Sequence, residues 1–140
     1  MILNSRPIFH AHLVLDKTPP PKFFVLWYNI FMPTVTIFCL KKDNSQLINL
    51  IKGLKIFLAE KLTCGAIKLS PKEISIRILN SEGNDMIGTV ELEINAHAFK
   101  ERVEKQDEIC NDVRHYIMQK DTSLGDIRVW LILSELGHSW

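Results

Sequence analysis

The sequence is short of charge imbalance, of paired cysteines and of any uninterrupted apolar run, and each shortage closes off a class of function. Lys and Arg number 17 against 16 Asp and Glu, a formal net charge of +1, so no broad basic field is available to hold a nucleic-acid backbone. Cys39, Cys64 and Cys110 are odd in number and have no paired spacing, which excludes a disulfide framework and a zinc knuckle and fits free thiols in a reducing cytoplasm. Cys39 falls in a strand and Cys110 on a helical stripe, where a thiol serves as a small hydrophobe. At the amino terminus a basic start, an apolar stretch and a small-residue cleavage site do not follow one another, so no secretory signal is read. The nearly continuous apolar stretch from Phe23 to Leu40 is long enough to raise a membrane span. Asn29, Pro33, Thr34 and Thr36 interrupt it, and no membrane segment is expected.

What is present fits one soluble domain. A length of 140 residues carries one core and not two, and 46% apolar with 24% charged residues is the balance of an ordinary globular protein. Residues 1–31 differ in character: Pro7 and the run Thr18-Pro19-Pro20-Pro21-Lys22 precede any helical or strand period. They read as an irregular leader, either an over-extended reading of the gene or a removed segment, and His10 and His12 within it make no metal site. Residues 32–140 read as the domain.

The domain opens on Met32-Pro33 and the alternating run Thr34-Val35-Thr36-Ile37-Phe38-Cys39, a first strand. Asn44 or Ser45 is placed to cap the helix that follows, whose Leu47, Leu50, Ile51, Leu54, Leu58 and Leu62 form one stripe and which Gly65 stops. Glu73 to Leu79 predicts a strand with Ile74, Ile76 and Ile78 on the helix side and Arg77 on the other. Asn80 to Gly88, with Gly83-Asn84-Asp85, predicts a loop, and Thr89 to Ala96 a strand buried on one side only. A helix is predicted from about Phe99 to Lys120 with Phe99, Val103, Cys110, Val113 and Ile117 inward. After the Asp121 to Gly125 turn, Asp126 to Leu133 reads as a strand covered on both faces.

Ser75-Ile76-Arg77-Ile78 answers Asp126-Ile127-Arg128-Val129, so the domain reads as a doubled β-α-β unit. Two α+β folds fit this order: a tautomerase-like pair of intact β-α-β units forming a four-stranded mixed sheet with two helices on one face, or a ferredoxin-like sandwich that splits each unit with a strand between. Pro33 carries the functional question. Inside the chain its nitrogen is a tertiary amide without basicity; were the chain to begin at Pro33, that nitrogen would be a free secondary amine, a base.

Met32-Pro33 before an alternating strand, the two arginine strands and the Ser134-Glu135-Leu136-Gly137-His138 ending resemble the tautomerase superfamily, in particular its double-length branch. The C-terminal arginine strand also looks like that of 4-oxalocrotonate tautomerase. The resemblance implies a homotrimer, no metal and no organic cofactor, with an amino-terminal proline, here Pro33, moving a proton between carbons of a small keto or enol carboxylic acid. With Pro33 terminal, Arg77 or Arg128 is placed to hold a substrate carboxylate and steady the enolate, which of the two being left open, and Glu135 to assist as an acid or hold an arginine. The resemblance also leaves a second reading, a catalytically silent trimeric binding or scaffold protein whose Pro33 is blocked by the leader. Isomerisation, decarboxylation and dehalogenation all occur in the superfamily, so the substrate itself is left open.

Overall fold

Alternation decides the sheet. In β1, Thr34–Cys39, residues Val35, Ile37 and Cys39 turn inward and are buried, while Thr34, Thr36 and Phe38 share the other face. Four residues do the same in β3, Val90–His97: Val90, Leu92, Ile94 and Ala96 are each at most 1% exposed. With β2, Ser75–Asn80, and β4, Ile127–Ser134, these strands form a four-stranded sheet in the order β2-β1-β3-β4. The structure, a computed structural model, describes residues 32–65, 67–82 and 88–135. The expected leader 1–31 with His10 and His12, the loop residues Gly83, Asn84 and Asp85, and the tail with Leu136, Gly137 and His138 lie outside the described residues.

β1 pairs with β2 in parallel, β3 pairs with β4 in parallel, and β1 and β3 meet antiparallel. Each β-α-β unit is therefore intact, with no strand between its two members, which is the tautomerase-like layout and excludes the ferredoxin-like one. The helices cover one face. From α1, Asn44–Leu62, the residues Leu47, Leu54, Leu58 and Leu62, and from α3, Gln106–Lys120, the residues Ile109, Val113 and Ile117, join the inward strand residues in a single core. The two helices are tied across by a 2.7 Å ion pair between Lys61 and Asp112 and by stacking of Phe57 on Tyr116, ring centroids 4.4 Å apart. Tyr116 lies so close to α1 that a Cβ at position 53 would come within 2.5 Å of its hydroxyl, which is why Gly53 interrupts an otherwise strong helix former.

Four expectations from the sequence are corrected. Neither Asn44 nor Ser45 caps α1: Lys41–Asp43 forms a 3-10 turn that runs straight into the helix, so the first helical amides follow turn hydrogen bonds instead of a side-chain acceptor. Helix α1 ends at Leu62, before Gly65; that glycine, at φ 52°, makes the turn next to the Cys64–Ile67 bridge. The second helix is broken at Lys105 into α2, Lys100–Glu104, and α3. Arg102 turns inward in step with Ile109, Val113 and Ile117, while Val103 stays 53% exposed. Finally β4 is covered on its inner face alone, and Trp130 and Ile132 on its outer face are 42% and 43% exposed.

Register fixes which residues correspond in the two units. Val35 pairs with Ile76 as Val90 pairs with Ile127. Thr34 thus matches Thr89, Pro33 matches Gly88, and Arg77 matches Arg128.

Candidate functional site

Pro33 immediately precedes β1, in a sheet position that tolerates a missing N–H, and it is buried. Its carbonyl accepts from the Ser75 amide at 3.1 Å, which fixes it to the start of β2. Continuing the antiparallel register places Ala96 across from it. The end of the sheet at which Pro33 lies is thus built from the start of β2 and the last residues of β3 and β4.

A buried cation occupies the same end. Arg102, in the short α2, is 1% exposed. Its Nε donates to the Leu62 carbonyl at the end of α1 (2.9 Å) and its Nη1 to the His97 carbonyl at the end of β3 (3.1 Å), while its guanidinium lies 4.8 Å from the Phe99 ring centroid. Nη2 is buried and finds no hydrogen-bond acceptor among the described residues, and no described carboxylate pairs with the group. Burial pulls this guanidinium below its ordinary value, opposed by the neighbouring Cys64 thiol. A buried cation with an unfilled edge is expensive unless something anionic meets it. Sequence reasoning passed over Arg102, although the signal exists: residues 102, 106, 109, 113 and 117 recur at helical spacing, and the two polar members, Arg102 and Gln106, both reach main-chain carbonyls, Gln106 that of Leu131 at 2.6 Å.

The arginines and the glutamate singled out from the sequence are not gathered together within one chain. On the outer face of the sheet, register sets the rows Arg77–Thr36–Glu93–Trp130 and Leu79–Phe38–Glu91–Arg128. Arg77 and Arg128 therefore sit on opposite edge strands, about 16 Å apart by strand spacing and rise. Arg77 is exposed and about 11 Å from Pro33 on the same basis, whereas Arg128 lies about 19 Å away toward the opposite end. Arg128 is moreover engaged by Asp126, Nε and Nη2 each 2.9 Å from Oδ2. Glu135, exposed, directly follows β4 and so belongs to the Pro33 end. His97 at that end packs at 4.7 Å against the ring of Phe99.

Cys39 and Cys110 are set apart from this chemistry, while Cys64 neighbours Arg102. Burial pushes Cys39, Cys64 and Cys110 all above their ordinary value, for Cys64 against the pull of Arg102. Because the thiolate is the reactive form, a disulfide reagent at pH 7.5 is expected to label the native protein at least about tenfold more slowly than the same chain in urea. Half-buried Cys110 should go first. Fast stoichiometric labelling of all three in the native state would show that these strands and helices open readily.

Among the described residues no helix is long and apolar enough to cross a membrane, and no three His, Cys, Asp or Glu side chains gather as a metal site would require.

In fold the chain is similar to a solved protein of unknown function from Vibrio cholerae, at a TM-score of 0.58 and 12% identity over 86% of this chain and 91% of that one. Lower TM-scores relate it to a 5-carboxymethyl-2-hydroxymuconate isomerase from Deinococcus radiodurans (0.49, 12% identity, 81% and 90% of the two chains) and a macrophage migration inhibitory factor-like protein from Entamoeba histolytica (0.47, 14% identity, 77% and 96%). No protein-family model and no curated protein matches the chain.

Proposed function

We propose that this chain, in a form that begins at Pro33, is a tautomerase-type isomerase that moves a proton within a small keto or enol carboxylic acid. The observation that carries the reading is the shared position of Pro33 and Arg102: a buried proline at the mouth of a central strand, and at the same end of the sheet a buried guanidinium with one edge unfilled. The Met32-Pro33 motif and the paired β-α-β layout support it.

As a terminal residue Pro33 would carry a secondary amine. Partial burial and nearby cations both disfavour its protonated form, so it would be an unprotonated base near neutral pH. It removes a proton from one carbon of the substrate, the charge that develops on the enolate oxygen is met by guanidinium, and the proton returns to a second carbon. Arg102, at the same end of the sheet, is a candidate for the substrate carboxylate or the enolate, and Arg77, Arg128 and Glu135 stay candidates through assembly. No step needs a metal or an organic cofactor. The compartment proposed is the cytoplasm, in line with three free thiols.

Assembly is part of the proposal. Trp130, Ile132 and Leu79, between 42% and 46% exposed, stand on the sheet face away from the helices, a placement that favours burial against other copies. A homotrimer would set the edge of one sheet near the Pro33 end of the next. Light scattering is expected to give a trimer at micromolar concentration, and Trp130→Asp to shift it toward monomer; a wild-type monomer throughout that range removes the assembly.

Kinetics of the chain starting at Pro33 test the outer arginines. Arg77→Ala or Arg128→Ala, if its side chain reaches a neighbour's site, is expected to raise KM or lower kcat by about 2 kcal/mol in combined effect, the worth of one charge-assisted contact. Unchanged kinetics in both leave anion recognition to Arg102. The second reading, a silent trimeric binding or scaffold protein, has its own support, since in the 140-residue chain the Pro33 nitrogen is acylated by Met32. Mass spectrometry of the endogenous amino terminus separates the two.

A further inference from the structure

We infer that the cleft between α3 and β4 is a second anion site, the counterpart of the Pro33 end without its base, and that it takes a small monocarboxylate. The inference is independent of proton transfer, because binding there needs no free amine.

The cleft, about 290 Å³, is open to solvent and lined by Cys110, Asn111 and Arg114 of α3 and by Asp126 and the first β4 residues as far as Val129. Arg114 reaches into it from α3 and is held by a single bond, Nε to the Ile127 carbonyl at 3.0 Å. Its two terminal nitrogens have no partner among the described residues, and they form the planar edge that suits a carboxylate. Arg128 borders the cleft, its guanidinium held by Asp126. Its stem is fixed by the close approach of Gly88, where a Cβ would stand 2.8 Å from Arg128 Cγ and 3.0 Å from the Asp126 carbonyl oxygen. Asp126 engages Arg128, and Glu91 lies across from Arg128 on the neighbouring strand, so Arg114 is the lining cation with no carboxylate partner among the described residues, which suits a monoanion. Half-buried Val129 and Cys110 give the ligand's hydrocarbon part its apolar contact.

Register explains why such a site should exist here. Gly88 stands where Pro33 stands in the first unit, and Arg128 where Arg77 stands. The second unit has thus kept a guanidinium and a cleft at its strand mouth while holding, in place of proline, the one residue small enough to let Arg128 fold against the backbone. A terminal amine cannot arise at an internal glycine, so this end binds and does not catalyse.

The test is an NMR titration of the 15N-labelled 140-residue chain at low ionic strength with sodium benzoate, and separately with inorganic phosphate, following the arginine Nε–Hε signals. A saturable benzoate shift at Arg114 is expected. Arg114→Gln should weaken it about tenfold. Asp126→Asn should tighten it by freeing Arg128, and the fold should tolerate this change because an exposed ion pair contributes little. Arg77→Gln should leave it unaltered. Absence of a saturable benzoate shift, or saturation by phosphate alone, overturns the inference. Should Arg114→Gln fail to fold, Asp126→Asn decides: tighter binding supports the site, and unchanged or weaker binding overturns it. Loss of proton transfer from the chain starting at Pro33 would leave this result untouched.

Discussion

A chain beginning at Pro33 is expected to tautomerise phenylenolpyruvate or 2-hydroxymuconate, and the 140-residue chain to do so at least about 100-fold more slowly, since a positioned base contributes on that order. The reason is one bond. An acylated proline nitrogen is an amide, with its lone pair delocalised into the carbonyl, and cannot accept a proton at any accessible pH. The same nitrogen as a terminal secondary amine can. Removing the preceding residues should not displace it, because the attachment that fixes Pro33 is its own carbonyl bonded to the Ser75 amide, and the strand that follows is buried between β2 and β3. Within the short form kcat/KM should rise with pH through the amine's pKa, because the neutral amine is the active species. Pro33→Ala should lower activity, a primary amine on a looser backbone being a less well-placed base. Equal activity in the long chain, with its amino terminus verified intact, would sink the proline mechanism.

The sheet was legible from the sequence because a period of two is unambiguous when it runs for six residues or more, as in Thr34–Cys39 and Val90–His97. The choice between two ways of pairing those strands was not, since both folds share one element order; the parallel pairing of β1 with β2 decides it. The break at Lys105 escaped because no proline or glycine announces it, and Arg102, not Val103, shares the inward stripe of Ile109, Val113 and Ile117. The apolar run of β4 read as two-sided burial, yet one chain covers only one side and leaves Trp130 and Ile132 exposed, a difference that periodicity cannot separate from core. Arg77 and Arg128 were found as arginines in apolar strands, but strand order sets them on opposite edges, a fact of topology that no local pattern contains.

Replacing Arg102 by Met is expected to leave stability within about 2 kcal/mol of the parent while lowering kcat/KM of the chain starting at Pro33 about 100-fold. Two effects oppose each other in the fold. Loss of the guanidinium strips the Leu62 and His97 carbonyls of their donors, at about 1–3 kcal/mol for each buried acceptor left unmet. Against this, the variant no longer buries a cation without a carboxylate partner, nor an Nη2 without an acceptor, and relief of an isolated buried charge is of similar size, several kcal/mol. Met keeps the length and apolar contact of the arginine stem, so packing on Phe99 changes little. An arginine retained only to tie α1 to β3 would show the reverse pattern: a large fall in unfolding free energy with kinetics intact. Arg102→Lys sharpens the distinction. A single ammonium keeps the charge but cannot serve two carbonyls and a planar carboxylate edge at once, so it should restore part of kcat while leaving KM high. A stable Met variant with unaltered KM and kcat would remove Arg102 from the site and return anion recognition to an arginine supplied by a neighbouring copy.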